Sequence, residues 1–106
     1  MENGLNLITC IVQRGKAEEV VREALASGAQ GATMFYGRGT GVRERLGILS
    51  QFIVPEKEII LIVTRQEQTA EIFENAIKAG RLREKGQGFA FIQKVEEAVG
   101  LLDDLA

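Results

Sequence analysis

Two kinds of hydrophobic pattern alternate along this chain, and they occur in the same order twice. An apolar run over residues 5–12 and a β-branched block over residues 58–64 have the length and composition of buried strands. After each run, a polar turn leads into apolar residues at i, i+3, i+4 and i+7, the spacing of one helical face. Thr69 is a candidate N-cap for the second helix. Both helices are predicted to stop at a glycine, Gly28 and Gly80, where left-handed backbone is common.

Each half then closes with a second predicted strand, over residues 32–36 and residues 89–95. The halves also share sequence, because IVQR at residues 11–14 resembles IVTR at residues 62–65. A repeated βαβ unit of this size predicts an α+β, ferredoxin-like (βαβ)2 sandwich, in which a four-stranded antiparallel sheet carries two helices on one face. We expect residues 1–106 to form a single domain.

The composition is typical of a soluble globular protein, with 45% hydrophobic and 26% charged residues among 106. No apolar run approaches the roughly 20 residues of a membrane span, so we expect no membrane insertion. The N-terminus does not resemble a secretory signal, which favours the cytoplasm. A lone cysteine, Cys10, cannot form an intrachain disulfide and lies in an apolar strand, which is typical of a core residue.

The charged and titratable residues exclude several classes of function. A net charge of −2 provides no overall field to attract nucleic acid. The chain has no histidine and one cysteine, so one chain cannot assemble an imidazole or thiolate metal site or a His-activated nucleophile. Apart from the adjacent Asp103 and Asp104 near the C-terminus, the chain has no Asp to hold Mg²⁺ for a phosphatase or nucleotide hydrolase. We therefore expect a protein that is not an enzyme and has no metal site.

The segment 37–55 between the halves is far longer than a hairpin requires, and such loops often carry function. It opens with alternating glycines, including Gly39 and Gly41, and is flanked by arginines such as Arg43 and Arg45. Backbone amides without side chains, close to cations, are what a phosphate cradle requires. The alternative is a flexible loop with solvated arginines.

The segment 80–88 is a second basic and glycine-containing loop, and Arg81, Gly86 and Gly88 are its candidate ligand-binding residues. Two such loops on one small domain favour an anionic ligand, whereas the alternative is a solvated charged turn. The topology does not require this loop to meet the segment 37–55 within one subunit.

An apolar stretch over residues 46–54 lies inside the long segment. It is either packed against the domain or offered to a partner. The residues predicted to contact a partner are Val42, Arg45, Leu46, Ile48 and Leu49.

Taken in order, these features resemble the nitrogen regulatory PII proteins and their PII-like relatives over nearly the whole chain. The residues that carry the resemblance are Gly28-x-x-Gly31-x-Thr33, Gly39-x-Gly41, Pro55-x-x-x-Ile59, Ala79-Gly80-Arg81 and Gly86-x-Gly88. The resemblance implies a homotrimer with an adenine nucleotide in each intersubunit cleft, bound as a signalling ligand and not as a cofactor. It also implies that residues 37–55 form the T-loop, which docks on a membrane transporter or metabolic enzyme, and residues 80–88 the B-loop. The ligand-binding residues implied by position are Thr33, Gly39, Gly41, Arg43, Thr64, Arg81, Gly86 and Gly88.

The chain departs from the family pattern where phosphate-binding cations are expected. Val42-Arg43-Glu44 stands in place of Arg-Gln-Lys, Phe89 replaces the B-loop lysine, and residues 100–104 lack the paired arginines. Each charged hydrogen bond contributes roughly 1.5 to 3 kcal/mol, so these losses weaken triphosphate binding most. We therefore expect AMP or ADP to be favoured over ATP. The alternative is a trimeric interaction module without a nucleotide, similar in shape to the divalent-ion-tolerance proteins.

Overall fold

The computed structural model describes residues 4–39 and 56–100, and every structural statement below concerns these residues. Their elements follow the order β1 (Leu5–Gln13), α1 (Ala17–Ala26), β2 (Thr33–Arg38), β3 (Glu56–Arg65), α2 (Gln66–Gly80) and β4 (Gly88–Lys94). The repeated βαβ order and the ferredoxin-like fold predicted from the sequence are therefore confirmed. The strands differ from their predicted bounds by a residue or two. As a result, the ends of the two predicted loop segments belong to regular elements.

The sheet has the strand order β2-β3-β1-β4, and every neighbouring pair is antiparallel. Gln13 at the end of β1 lies opposite Lys57 at the start of β3, and Val12 lies opposite Gly88. The end of β2 lies opposite the start of β3 in the same way. We call this end of the sheet the loop end, because both segments singled out from the sequence meet the sheet here.

Both helices pack on one face of the sheet and form the core with it. The fully buried residues of that core include Ile8, Cys10, Val12, Val20, Ala24, Ile60, Ile62, Ile72 and Ala76. Cys10 is a core residue as predicted, and burial raises the pKa of its thiol to about 11 because the charged thiolate would lose its hydration.

The opposite face of the sheet, which we call the open face, carries no helix. Its apolar side chains include Leu7, Ile11, Phe35, Ile59, Leu61, Val63, Phe89 and Phe91. Phe35 is 46% exposed and Phe89 is 55% exposed, although both belong to strands. Exposed apolar side chains of this kind make the open face a candidate interaction surface.

The predicted N-cap of the second helix is wrong. Arg65 holds the N-cap position of α2, and Thr69 lies buried in the first turn. The Thr69 hydroxyl donates to the carbonyl oxygen of Arg65 at 2.8 Å and accepts from the Asn6 amide at 2.9 Å. Threonine can return its hydroxyl to the carbonyl four residues earlier, and that bond competes with capping.

The predicted end of the second helix is also wrong in detail. Gly80 is the last residue of α2, and Arg81 adopts the left-handed conformation with φ of 54°. A Cβ on Gly80 would lie 3.1 Å from Leu82 Cγ and 3.2 Å from Val20 Cγ2. Glycine at this position therefore permits close packing and does not serve a left-handed turn. Gly28 does have a positive φ of 112°, just after the end of α1.

A buried carboxylate joins β3 to the start of α1. Glu58 is 6% exposed, and its Oε1 accepts the backbone N–H groups of Gly15 at 2.7 Å and Ala17 at 3.0 Å. The N-cap residue Lys16 makes no capping bond with its own side chain. Glu58 therefore supplies from a neighbouring strand the acceptor that the first turn of α1 needs.

Replacing Glu58 with alanine should lower the free energy of unfolding by about 1 to 3 kcal/mol, because the buried N–H of Ala17 and the part-buried N–H of Gly15 would lose their carboxylate acceptor. The matched control is Glu56→Ala, which removes an exposed ion pair with Arg14 at 2.8 Å and should cost less than about 1 kcal/mol. Urea denaturation of both variants measures the difference. Equal losses would show that Glu58 does not stabilise the helix start.

Candidate functional site

Polar contacts at the loop end connect the start of β3 to the segment 80–88. Lys57 Nζ donates to Gln13 Oε1 at 3.2 Å, and Gln13 Nε2 donates to the carbonyl oxygen of Gly86 at 2.9 Å. The two hydrogen bonds run across the central strands, from the side where the segment 37–55 rejoins the sheet to the basic segment. Neither Gln13 nor Lys57 was selected from the sequence, because their pairing depends on the register of β1 with β3.

The glycines at the base of the long segment leave room for side chains of β3. A Cβ on Gly37 would lie 2.8 Å from Ile59 Cδ1, and a Cβ on Gly39 would lie 3.8 Å from Lys57 Cγ. Gly39 is therefore beside the aliphatic part of Lys57, the residue that donates to Gln13. The stem of a lysine thus lies next to a glycine that the sequence marked as a ligand residue.

Backbone geometry at the end of the segment 80–88 requires glycine. Gly86 has a φ of 79° and Gly88 a φ of 133°, both in the region that favours glycine. A Cβ on Gly88 would also overlap the carbonyl oxygen of Ile11 on the neighbouring strand. These two positions let the chain turn sharply into β4 while remaining close to β1.

The arginines of the same segment are paired with glutamates. Arg81 makes a two-point contact with Glu84, with Nε and Nη2 each 2.8 Å from a carboxylate oxygen. This contact raises the pKa of Arg81 and lowers the pKa of Glu84. Arg83 Nη2 lies 2.9 Å from Glu74 Oε1. All four side chains are substantially exposed, so an anion in solution can compete for these arginines.

The two predicted threonines are not brought together in one subunit. Thr33 is exposed at the start of β2 on the open face, where it pairs with Leu61. Thr64 is buried on the helix face, with its hydroxyl 2.7 Å from that of Thr69. A ligand role for either threonine stays a prediction. In this subunit, the Thr64 hydroxyl stabilises the start of α2 instead.

Several predicted residues lie outside the described residues. They are Gly41 and Arg43 among the ligand residues, and Val42, Arg45, Leu46, Ile48 and Leu49 among the partner-contacting residues. The apolar stretch 46–54 lies outside as well. Their roles stay predictions.

Within one subunit, the described parts of the two loop segments lie near each other but not in contact. The edge strands β2 and β4 are separated by β3 and β1, so Gly39 and Gly88 lie on opposite sides of two central strands. At about 4.8 Å per strand spacing, three spacings amount to about 14 Å. A single phosphate group therefore cannot contact both segments of one subunit. A second subunit placed against one edge of the sheet can bring its own segment to that edge. Among the described residues, no helix is long and apolar enough to cross a membrane.

Comparison with known proteins agrees with this architecture. The family model described as "Nitrogen regulatory protein P-II" matches residues 5–103. This chain belongs to the P-II family of nitrogen regulatory proteins. Members of this family are signalling regulators. No curated protein matches the chain in sequence.

A solved P-II structure supports the fold independently. The crystal structure of Arabidopsis thaliana PII bound to citrate aligns with a TM-score of 0.73, covering 97% of this chain and 92% of that chain. The two sequences are 18% identical, so the likeness concerns the fold.

Replacing Gly88 with alanine should destabilise the protein by more than about 2 kcal/mol, because the positive φ and the overlap with Ile11 both oppose a Cβ. The control is Gly31→Ala, where a Cβ would meet open space and φ is not positive. Thermal and urea unfolding compare the two. A Gly88→Ala variant as stable as Gly31→Ala would show that position 88 does not require glycine.

Proposed function

We propose that this P-II protein is a non-enzymatic signalling protein that binds an adenine nucleotide, with AMP or ADP favoured over ATP. It binds the nucleotide in clefts between the subunits of a homotrimer. The observation that carries the proposal is the arrangement at the loop end, where Gly39 and Lys57 lie on one side and the basic segment 80–88 on the other. Glycine backbone beside cations is the arrangement that phosphate groups require.

Two features of the isolated subunit support association with further copies. The open face exposes Phe35 and Phe89 and needs a cover. The two candidate ligand segments flank opposite edges of the sheet, so one phosphate group cannot contact both within a subunit, which favours a site shared between subunits. Family membership supports the same assembly, because P-II proteins are trimeric and bind small ligands and partners.

The preference for fewer phosphates follows from the charges around the site. Arg81 and Arg83 already have carboxylate partners, so each phosphate that uses them must displace a glutamate. Phe89, an aromatic residue, follows the last glycine of the segment in place of the family's lysine. A related P-II structure contains citrate, an anion, which agrees with an anionic ligand on this fold.

The nucleotide is expected to act through the segment 37–55, which regulates a membrane transporter or a metabolic enzyme in the cytoplasm. The partner-contacting residues of this proposal are those predicted from the sequence, Val42, Arg45, Leu46, Ile48 and Leu49. Their mixture of apolar and cationic side chains suits a partner surface that is partly apolar and partly acidic.

A trimeric interaction module without a nucleotide is the second candidate. The observation that favours it is the pairing of Arg81 with Glu84 and of Arg83 with Glu74, which neutralises two cations of the candidate site. In this alternative, the pairs stabilise the loop and no anion replaces the glutamates.

The experiment that tests the proposal is calorimetric titration of the purified protein with AMP, ADP, ATP and cyclic AMP, with and without Mg²⁺, bicarbonate and 2-oxoglutarate. Light scattering establishes the trimer. Binding of AMP or ADP that is clearly tighter than that of ATP supports the proposal. Tight Mg²⁺-dependent ATP binding would refute the proposed nucleotide preference. A trimer indifferent to every nucleotide would support the interaction module.

The Glu84→Gln variant should bind ADP about two- to fivefold more tightly, because Arg81 no longer has a charged competitor of up to about 1 kcal/mol. Arg81→Gln should weaken binding. The control is Glu71→Gln, which changes the net charge equally at an exposed position in the first half of α2. Calorimetry at constant ionic strength measures all three, and equal gains for Glu84→Gln and Glu71→Gln would indicate a general charge effect.

A further inference from the structure

A single side chain, Gln13, connects the start of β3 to the segment 80–88. The Gln13 amide accepts from Lys57 Nζ with its oxygen and donates to the carbonyl oxygen of Gly86 with its nitrogen. A side-chain amide offers both an acceptor and a donor on one planar group, whereas an ionised carboxylate offers acceptors alone. We propose that Gln13 is a positioning residue that couples the strand start after the segment 37–55 to the backbone of the segment 80–88.

The register of the sheet supports a coupling through this position. Gln13 lies directly opposite Lys57, and its neighbour Val12 lies directly opposite Gly88. A shift of Lys57 therefore changes the contacts of the residue that holds Gly86. Because β1 is a central strand with partners on both sides, its end is well placed to relay a change between them.

The Gly86 carbonyl oxygen accepts its hydrogen bond from outside the segment 80–88. The segment's own backbone bonds, from Glu84 to Arg81 at 3.1 Å and from Gln87 to Glu84 at 3.4 Å, stop short of the Gly86 carbonyl oxygen. Gly86 and Gly88 both have positive φ values, and glycine allows many other conformations at these positions. The bond from Gln13 therefore selects one orientation of the Gly86 peptide group.

The coupling belongs to the ligand-free protein and goes beyond the proposed function. Its consequence for nucleotide sensing does rest on that function. Where the nucleotide is bound by the segment 80–88, Gln13 reports its presence to the start of β3, which is joined to the partner-binding segment.

Amide hydrogen exchange of the ligand-free protein tests the coupling through the rate over residues 84–88. Gln13→Glu keeps the acceptor for Lys57 but removes the donor to Gly86, so exchange over residues 84–88 should accelerate about three- to tenfold. Lys57→Met should accelerate it by about twofold, although Lys57 itself does not contact Gly86. Exchange over residues 60–62 in the central strand serves as the internal reference for intact folding.

The matched control is Arg14→Gln, which breaks the neighbouring ion pair with Glu56 and leaves the Gln13 contacts in place. It should leave exchange over residues 84–88 unchanged. The coupling is overturned if Gln13→Glu has no effect on these residues, if Lys57→Met has none, or if Arg14→Gln has an equal effect.

A second experiment distinguishes failure of this inference from failure of the proposed function. ADP titration of Gln13→Glu should show weaker binding than that of Arg14→Gln. If the wild-type protein binds no nucleotide, the proposed function fails, while the exchange rates still decide whether Gln13 couples the segments.

Discussion

The antiparallel pairing of β1 with β3 is the interaction on which the rest of this structure depends. Its register runs from Leu5 opposite Arg65 to Gln13 opposite Lys57, along the full length of β1. A slip of one residue would exchange the two faces and move Ile60 and Ile62 out of the core. The same slip would withdraw the Glu58 carboxylate from the start of α1. Core packing, helix capping and the polar contacts at the loop end therefore share one geometric origin.

The antiparallel topology also explains why the candidate site is incomplete in one subunit. It brings the end of β2 and the start of β4 to the same end of the sheet but places them at opposite edges. The open face adds an apolar surface with exposed phenylalanines to this arrangement. The fold therefore leaves an apolar face exposed and leaves each loop segment without the other beside it. The homotrimer proposed above would address both at once, and P-II proteins are trimeric.

Local electrostatics moderate what the site can bind. The two arginines Arg81 and Arg83 of the segment 80–88 form ion pairs with Glu84 and Glu74. The same pairing reduces the positive potential available to an anion. A ligand with several phosphates would have to displace more of these contacts than one with few. The energies of these exposed ion pairs and of their attraction for an anion are both small, because water screens the charges.

The sequence by itself determined the order of strands and helices and the residues of the core, because alternating and 3.6-residue patterns reflect which side chains are buried. It also marked the glycines and arginines of both loop segments, whose local composition is unusual. It failed at Thr69 and Gly80, where a hydroxyl returned to a carbonyl and two side chains packed against a glycine. Only the tertiary structure decided that Glu58 caps α1, that Glu84 pairs with Arg81, and that the Gln13 amide hydrogen-bonds to both Lys57 and Gly86. The contacts of Glu58 and Gln13 join residues far apart in the chain, and that of Glu84 depends on the local turn, so no periodicity along the sequence encodes them.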